Sequence, residues 1–147
     1  MLRDFVFAFP GCCVEVGYEK ELQYVRFICC SGKREIKRHK TSFELNEYFR
    51  GQRMDFSVEL DLSRLSPFQQ RVLEETKKIG YGRRITYGTL AKRTGSHPRA
   101  VGGALSRNPF PILIPCHRVV ASNGIGGYSE GVNIKIRLLE LEARNNL

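Results

Sequence analysis

At 147 residues, 41 % hydrophobic and 10 % aromatic, the chain suits one medium domain or two small ones rather than a disordered segment. No apolar run approaches the roughly 20 residues that span a bilayer, and Met1-Leu-Arg-Asp-Phe lacks a secretory pattern, so an intracellular protein is expected, cytoplasmic or, in a eukaryote, nuclear. The net charge of +9 is uneven: residues 1–60 carry 10 Lys and Arg against 9 Asp and Glu, whereas residues 61–147 carry 14 against 6. A basic surface confined to one half suits a polyanion, most often nucleic acid, with a generally basic solvated surface as the alternative.

Segments 4–9, 13–18 and 22–30 alternate or cluster Phe, Val, Tyr and Ile between the turn-like Pro10-Gly11 and Glu19-Lys20, which predicts an antiparallel meander. A helix is expected over 41–50, with Phe43, Leu45, Tyr48 and Phe49 available for burial and Gly51 as a stop. Residues 51–65 read as a connector. The next helix starts clearly: Ser66 can cap, Pro67 suits the first helical position, and Gln69 completes a capping box. Leu65, Phe68, Val72, Thr76 and Ile79 follow at helical spacing. A short helix from Tyr87 to Thr94, the turn Gly95-Ser96-His97-Pro98 and a helix over 99–107 then read as helix-turn-helix.

The second of these helices is unusually smooth. Ala100, Gly102, Gly103 and Ala104 are too small to read base edges, and each glycine costs about 1 kcal/mol of helix stability relative to alanine. Two explanations stand: tight packing on a neighbouring helix, or a smooth face pressed into a minor groove. After Pro115-Cys116-His117-Arg118, residues 119–121 read as a short strand, 126–129 as a glycine-flanked loop, and 132–144 as a last helix burying Ile134, Leu138 and Leu141.

Chemistry concentrates at Cys116-His117. A nucleophilic cysteine must lose its proton, and an imidazole can take it directly or through one water. Adjacent residues usually point apart, so the water-mediated route is expected. Four other cysteines form the adjacent pairs Cys12-Cys13 and Cys29-Cys30. Neighbours on a strand face opposite sides, so both of a pair rarely reach one metal. Small buried hydrophobes are the favoured state, with a zinc site or a disulfide between the pairs left open. His39 and His97 read as solvated surface residues.

Over residues 66–142 the motifs Ile85-Thr-Tyr-Gly88, Arg99-Ala-Val-Gly-Gly-Ala104, Asn108-Pro, Pro115-Cys-His-Arg-Val119, Gly127-Tyr-Ser129 and Leu138-Leu-Glu-Leu-Glu142 occur in one order. In that order they resemble the O6-alkylguanine-DNA alkyltransferase family. The resemblance implies an α+β fold, with a ribonuclease-H-like sheet domain over 1–60 and a winged-helix-like alkyltransferase domain over 61–147. It also implies direct-reversal repair of duplex DNA, in which a methyl or larger alkyl group passes irreversibly from O6 of guanine to Cys116.

In that scheme His117 relays the thiol proton through water, and Glu142 orients His117 and favours its positive form. Tyr87 donates a proton to the departing guanine and can press on the phosphate of the flipped base. Asn108 braces the active-site turn, and Arg99 fills the vacated base stack. Gly127, Tyr128 and Ser129 line the base pocket, while Ser122 and, weakly, Gly88 contact DNA. The scheme needs no metal or cofactor, approaches DNA from the minor groove, involves no membrane and works as a monomer. The competing functions are a DNA-binding module without chemistry and a Cys-His hydrolase that turns over an acyl substrate.

Overall fold

The computed structural model describes residues 1–146. The chain forms two compact units, Met1–Asp61 and Leu62–Leu147, and its class is α+β. No helix among the described residues is long and apolar enough to cross a membrane.

In the first unit, β1 (Leu2–Phe9), β2 (Cys12–Tyr18) and β3 (Leu22–Cys29) form an antiparallel sheet in chain order. The register pairs Val6 with Val14 and Val16 with Val25, putting fully buried valines on one face. Helix α1 (Lys40–Phe49) packs against β1 and buries Leu45 and Tyr48. Phe43, expected in this core, is instead 50 % exposed, because it lies off the stripe formed by Thr41, Leu45 and Tyr48. His39 is not simply solvated either. Its Nδ1 accepts from the Thr41 N–H at 3.1 Å, capping α1, and its ring lies 4.7 Å from that of Tyr18.

Asp4 anchors this cap from within the core. Its buried carboxylate accepts from Tyr18 Oη (2.9 Å), Ser42 Oγ (2.7 Å) and the backbone N–H groups of Arg38 (2.7 Å) and His39 (2.8 Å). Burial alone would raise its pKa, but the four donors reverse that and hold it below the ordinary carboxylate value.

The favoured expectation of reduced cysteines fails at two positions. Cys13 and Cys30 form a disulfide, whereas Cys12 and the exposed Cys29 stay outside it. The register explains the choice. Cys12 stands opposite Cys29 on one face of the β2–β3 ladder, so Cys13 and Cys30 share the other.

In the second unit, α2 (Pro67–Lys77) begins as its sequence predicts. Ser66 Oγ accepts from the Gln69 N–H at 3.2 Å, and the Gln69 side chain reaches back to the Ser66 N–H at 3.4 Å. Helices α3 (Tyr87–Thr94) and α4 (Pro98–Ser106) pack on α2 and on each other. They are joined through Gly95, whose φ of 68° is a left-handed conformation that suits glycine. The strand expected at 119–121 is β5 (Val119–Val120); it pairs in parallel with β4 (Ile85–Thr86). Helix α5 (Val132–Asn145) closes the unit.

Candidate active site

The β4–β5 pairing builds the site. Ile85 lies opposite Val119 and Thr86 opposite Val120, so the residues just after β4 meet those just before β5. Thr86 caps α3 by accepting from the Thr89 N–H at 3.1 Å, which sets Tyr87 as the first helical residue. On the other side Cys116–Arg118 form a single 3-10 turn, closed by Arg118 N–H donating to Pro115 O at 2.9 Å.

Asn108 stiffens the approach to that turn. Its Nδ2 donates to Ile114 O (3.0 Å), its Oδ1 accepts from the Phe110 N–H (2.9 Å), and its side chain also hydrogen-bonds Cys116. Within this loop Ile112 has a φ of 75°, a left-handed conformation that costs a β-branched residue about 1–2 kcal/mol. Buried packing of Phe110, Ile112 and Ile114 offsets it.

Cys116 opens onto a cavity of about 520 Å³ whose wall also includes Tyr87, Arg99, Gly102, Tyr128 and Ser129. Gly127 belongs to the same wall, and its carbonyl accepts from Tyr87 Oη at 3.3 Å. Burial raises the Cys116 thiol above its ordinary pKa, and hydrogen bonds from Asn108 and Tyr128 only partly counter this. Burial, reinforced by Cys116, also raises the Tyr87 phenol, so Tyr87 keeps its proton at neutral pH. Gly88 lies one residue into α3 and Ser122 on the exposed turn after β5; neither lines the cavity.

Behind the thiol sits a buried charge cluster. Glu142 accepts from His117 Nε2 at 2.7 Å, from Arg118 Nε and Nη2 at 2.8 and 2.9 Å, and from the Gly82 N–H at 3.2 Å. Arg118 Nη1 donates onward to Ile79 O at 2.7 Å. Burial pushes the Glu142 pKa up, but His117 and Arg118 outweigh it and hold the carboxyl far below the carboxylate range.

Glu142 does favour imidazolium, as expected, but it is outweighed. Burial lowers the His117 pKa more than Glu142 raises it, and the Arg118 charge adds to the lowering. His117 is therefore neutral at pH 7. It spends its one N–H on Glu142, which leaves Nδ1 as a buried acceptor with no protein partner.

Sequence reasoning missed Lys135. This fully buried amine donates to Val119 O (2.7 Å) and Gly127 O (2.9 Å), tying α5 to β5 and to the cavity wall. Burial pulls its pKa down to about 8 against the opposing pull of Cys116. A signal was present: Lys135, Leu138, Leu139 and Glu142 fall at i, i+3, i+4 and i+7, one buried stripe of α5. Ile134, expected inside, is only half-buried.

The smooth helix α4 also resolves. Val101, Ala104 and Leu105 face inward, while Arg99, Gly102, Gly103 and Ser106 form the opposite stripe. A Cβ at Gly102 or Gly103 would meet nothing within 4 Å, so helix packing does not explain these glycines.

Residues 67–144 match the family model for the 6-O-methylguanine DNA methyltransferase, DNA binding domain, over more than half of the chain. The chain belongs to this methyltransferase family. It is 52 % identical over 100 residues to the methylated-DNA--protein-cysteine methyltransferase of Metallosphaera sedula, a match covering 67 % of this chain and 64 % of the relative. The same-named Sulfolobus acidocaldarius protein is 43 % identical over 102 residues, covering 69 % and 65 %. This family member thus spans just under two thirds of the length of these curated relatives. Solved structures match more completely. The O6-methylguanine-DNA methyltransferase of Pyrococcus kodakaraensis aligns with a TM-score of 0.78 at 31 % identity, over 95 % of this chain and 97 % of that one. The Mycobacterium tuberculosis OGT in complex with DNA aligns with a TM-score of 0.78 at 34 % identity, over 95 % and 91 %.

Proposed function

We propose that this chain repairs alkylated DNA by moving a methyl or larger alkyl group from O6 of guanine to its own Cys116, once per molecule. The observation that carries this reading is the placement of the Cys116 thiol at the wall of a base-sized cavity, in front of the buried His117–Glu142 pair. Family membership and the DNA complex of the M. tuberculosis relative support it.

In this reading each group has a step. His117 Nδ1, the acceptor left by the Glu142 hydrogen bond, takes the thiol proton through a water, because adjacent residues point apart. The thiolate sulfur attacks the alkyl carbon; the S–C bond forms as the C–O6 bond breaks, and the electron pair stays on guanine. Tyr87, still protonated at pH 7, neutralises that charge by donating to the ring. Asn108 and Tyr128 hydrogen-bond the sulfur, and Ser129 and Gly127 complete the base pocket. The product is a thioether with no hydrolytic exit at neutral pH, so the protein is a stoichiometric acceptor needing no metal or cofactor.

O6 within a duplex is reached only if the nucleotide leaves the stack, at a cost of a few kcal/mol. Arg99, at the N-terminal end of the smooth α4 face, fills the gap while Gly102 and Gly103 let the backbone approach a minor groove. In this reading Tyr87, Ser122 and, more weakly, Gly88 contact the DNA. Every reacting group comes from one chain, so the protein acts as a monomer in the compartment that holds DNA, the cytoplasm or a nucleus.

Mass spectrometry after incubation with duplex DNA carrying O6-methylguanine tests the assignment. One methyl group per chain, on the Cys116 peptide, is expected, and Cys116→Ala abolishes it while lesion binding persists. Label on another residue, or repeated turnover, would refute the assignment.

A further inference from the structure

The second unit carries another concavity, of about 400 Å³, that shares no lining residue with the reactive cavity. The end of α2, the 80–84 turn, β4 and the last turn of α3 wall it. Its cations are Lys78, Arg83, Arg84 and Arg93, and no carboxylate lines it. Lys78 is tied to Glu75 at 2.8 Å, but Arg83, Arg84 and Arg93 form no ion pair among the described residues.

Helix carboxyl ends attract cations, which accounts for Lys78 and Arg93 at the ends of α2 and α3. It does not account for Arg83 and Arg84, which belong to neither helix. The Arg83 stem lies over Gly80, where a Cβ would sit 3.5 Å from Arg83 Cδ, so its guanidinium is laid along the wall. The Arg84 charge reaches as far as Lys135 and adds to the lowering of that amine's pKa. Unneutralised like charges around one hollow repel each other, and an anion seated there relieves the repulsion.

We propose that this hollow holds phosphates of the duplex backbone, outside the stretch that enters the reactive cavity. Guanidinium forks match paired phosphate oxygens, and a groove of cations without carboxylates follows a phosphate chain without reading its bases. The proposal rests on the reading of this chain as a protein that works on duplex DNA.

The test measures binding of undamaged duplex against salt concentration for three proteins: wild type, Arg83→Gln/Arg84→Gln, and Lys20→Gln/Arg34→Gln, which removes equal charge from exposed positions of the first unit. Each lost phosphate contact lowers the slope of log K on log salt by about 0.9, so the hollow variant is expected to be shallower by about 1–2. Its transfer rate from free O6-alkylguanine base should match wild type. An unchanged slope, or an equal drop in the first-unit variant, overturns the proposal. So does a defect confined to phosphatidylserine vesicles, which would make the hollow a membrane contact. If wild type fails to accept an alkyl group from damaged duplex, the repair reading falls, while the slope comparison on undamaged duplex decides the hollow separately.

Discussion

Glu142 shows how buried partners hold one side chain in its charged form. It takes hydrogen bonds from a buried imidazole, a buried guanidinium and a part-buried backbone amide. Because its folded pKa lies below the unfolded value of about 4.3, its contribution is present above that pH and lost as pH falls through the acid range. Glu142→Gln should therefore destabilise the second unit at pH 7 by about 3 kcal/mol, leaving Arg118 buried with a weakened partner. It should also flatten the loss of stability on acidification. Denaturant unfolding of both proteins at pH 7 and at about pH 3 measures both. Identical pH dependence in the two proteins would mean that Glu142 is not the linked group.

At the scale of elements, α4 separates stability from function. Gly103 lies in a helix interior with open space where a side chain would go. Gly103→Leu should raise the stability of the second unit by about 0.5–1 kcal/mol, since leucine is the better helix former. If the smooth face enters a minor groove, the same change should weaken duplex binding at least tenfold and spare transfer from the free base. Fluorescence anisotropy with a labelled duplex checks it, and unchanged affinity would remove the groove from the model.

Most elements were readable in the chain because their signals are local. The Ser66 capping box, Pro67, Thr86, Gly95 and the helical spacing of α2 act within a few residues of where they are written. What escaped depends on contacts far apart in sequence. Asp4 gathers donors 14 to 38 residues away, and Lys135 finds its acceptors only once α5 lies beside β5. Pro111 marks a turn, but Ile112, which takes the left-handed position, is not a residue type that announces one. The protonation of His117 turned on its burial, which the adjacent letters of a motif do not convey.

Over the whole molecule, charge and cysteine chemistry are partitioned in the same way. The excess of cations belongs to residues 61–147, while the disulfide and its neighbouring thiols belong to the first unit. Cys116 is the single cysteine of the second unit, and it is buried. Mild oxidation with diamide, followed by repair of a labelled duplex, should leave the alkyl-accepting capacity within about twofold of the reduced protein, as expected for a shielded thiol. A capacity lost on oxidation and restored by a reductant would show that Cys116 can reach a partner.

Placing the crosslinked cysteines and the solitary one in different units has a consequence for the single transfer proposed above. A reagent used up on first contact must not be spent on the wrong event. Housing its sulfur where no sibling thiol of the same unit can capture it, at the wall of a base-sized cavity, would reserve each molecule for the damage proposed as its substrate.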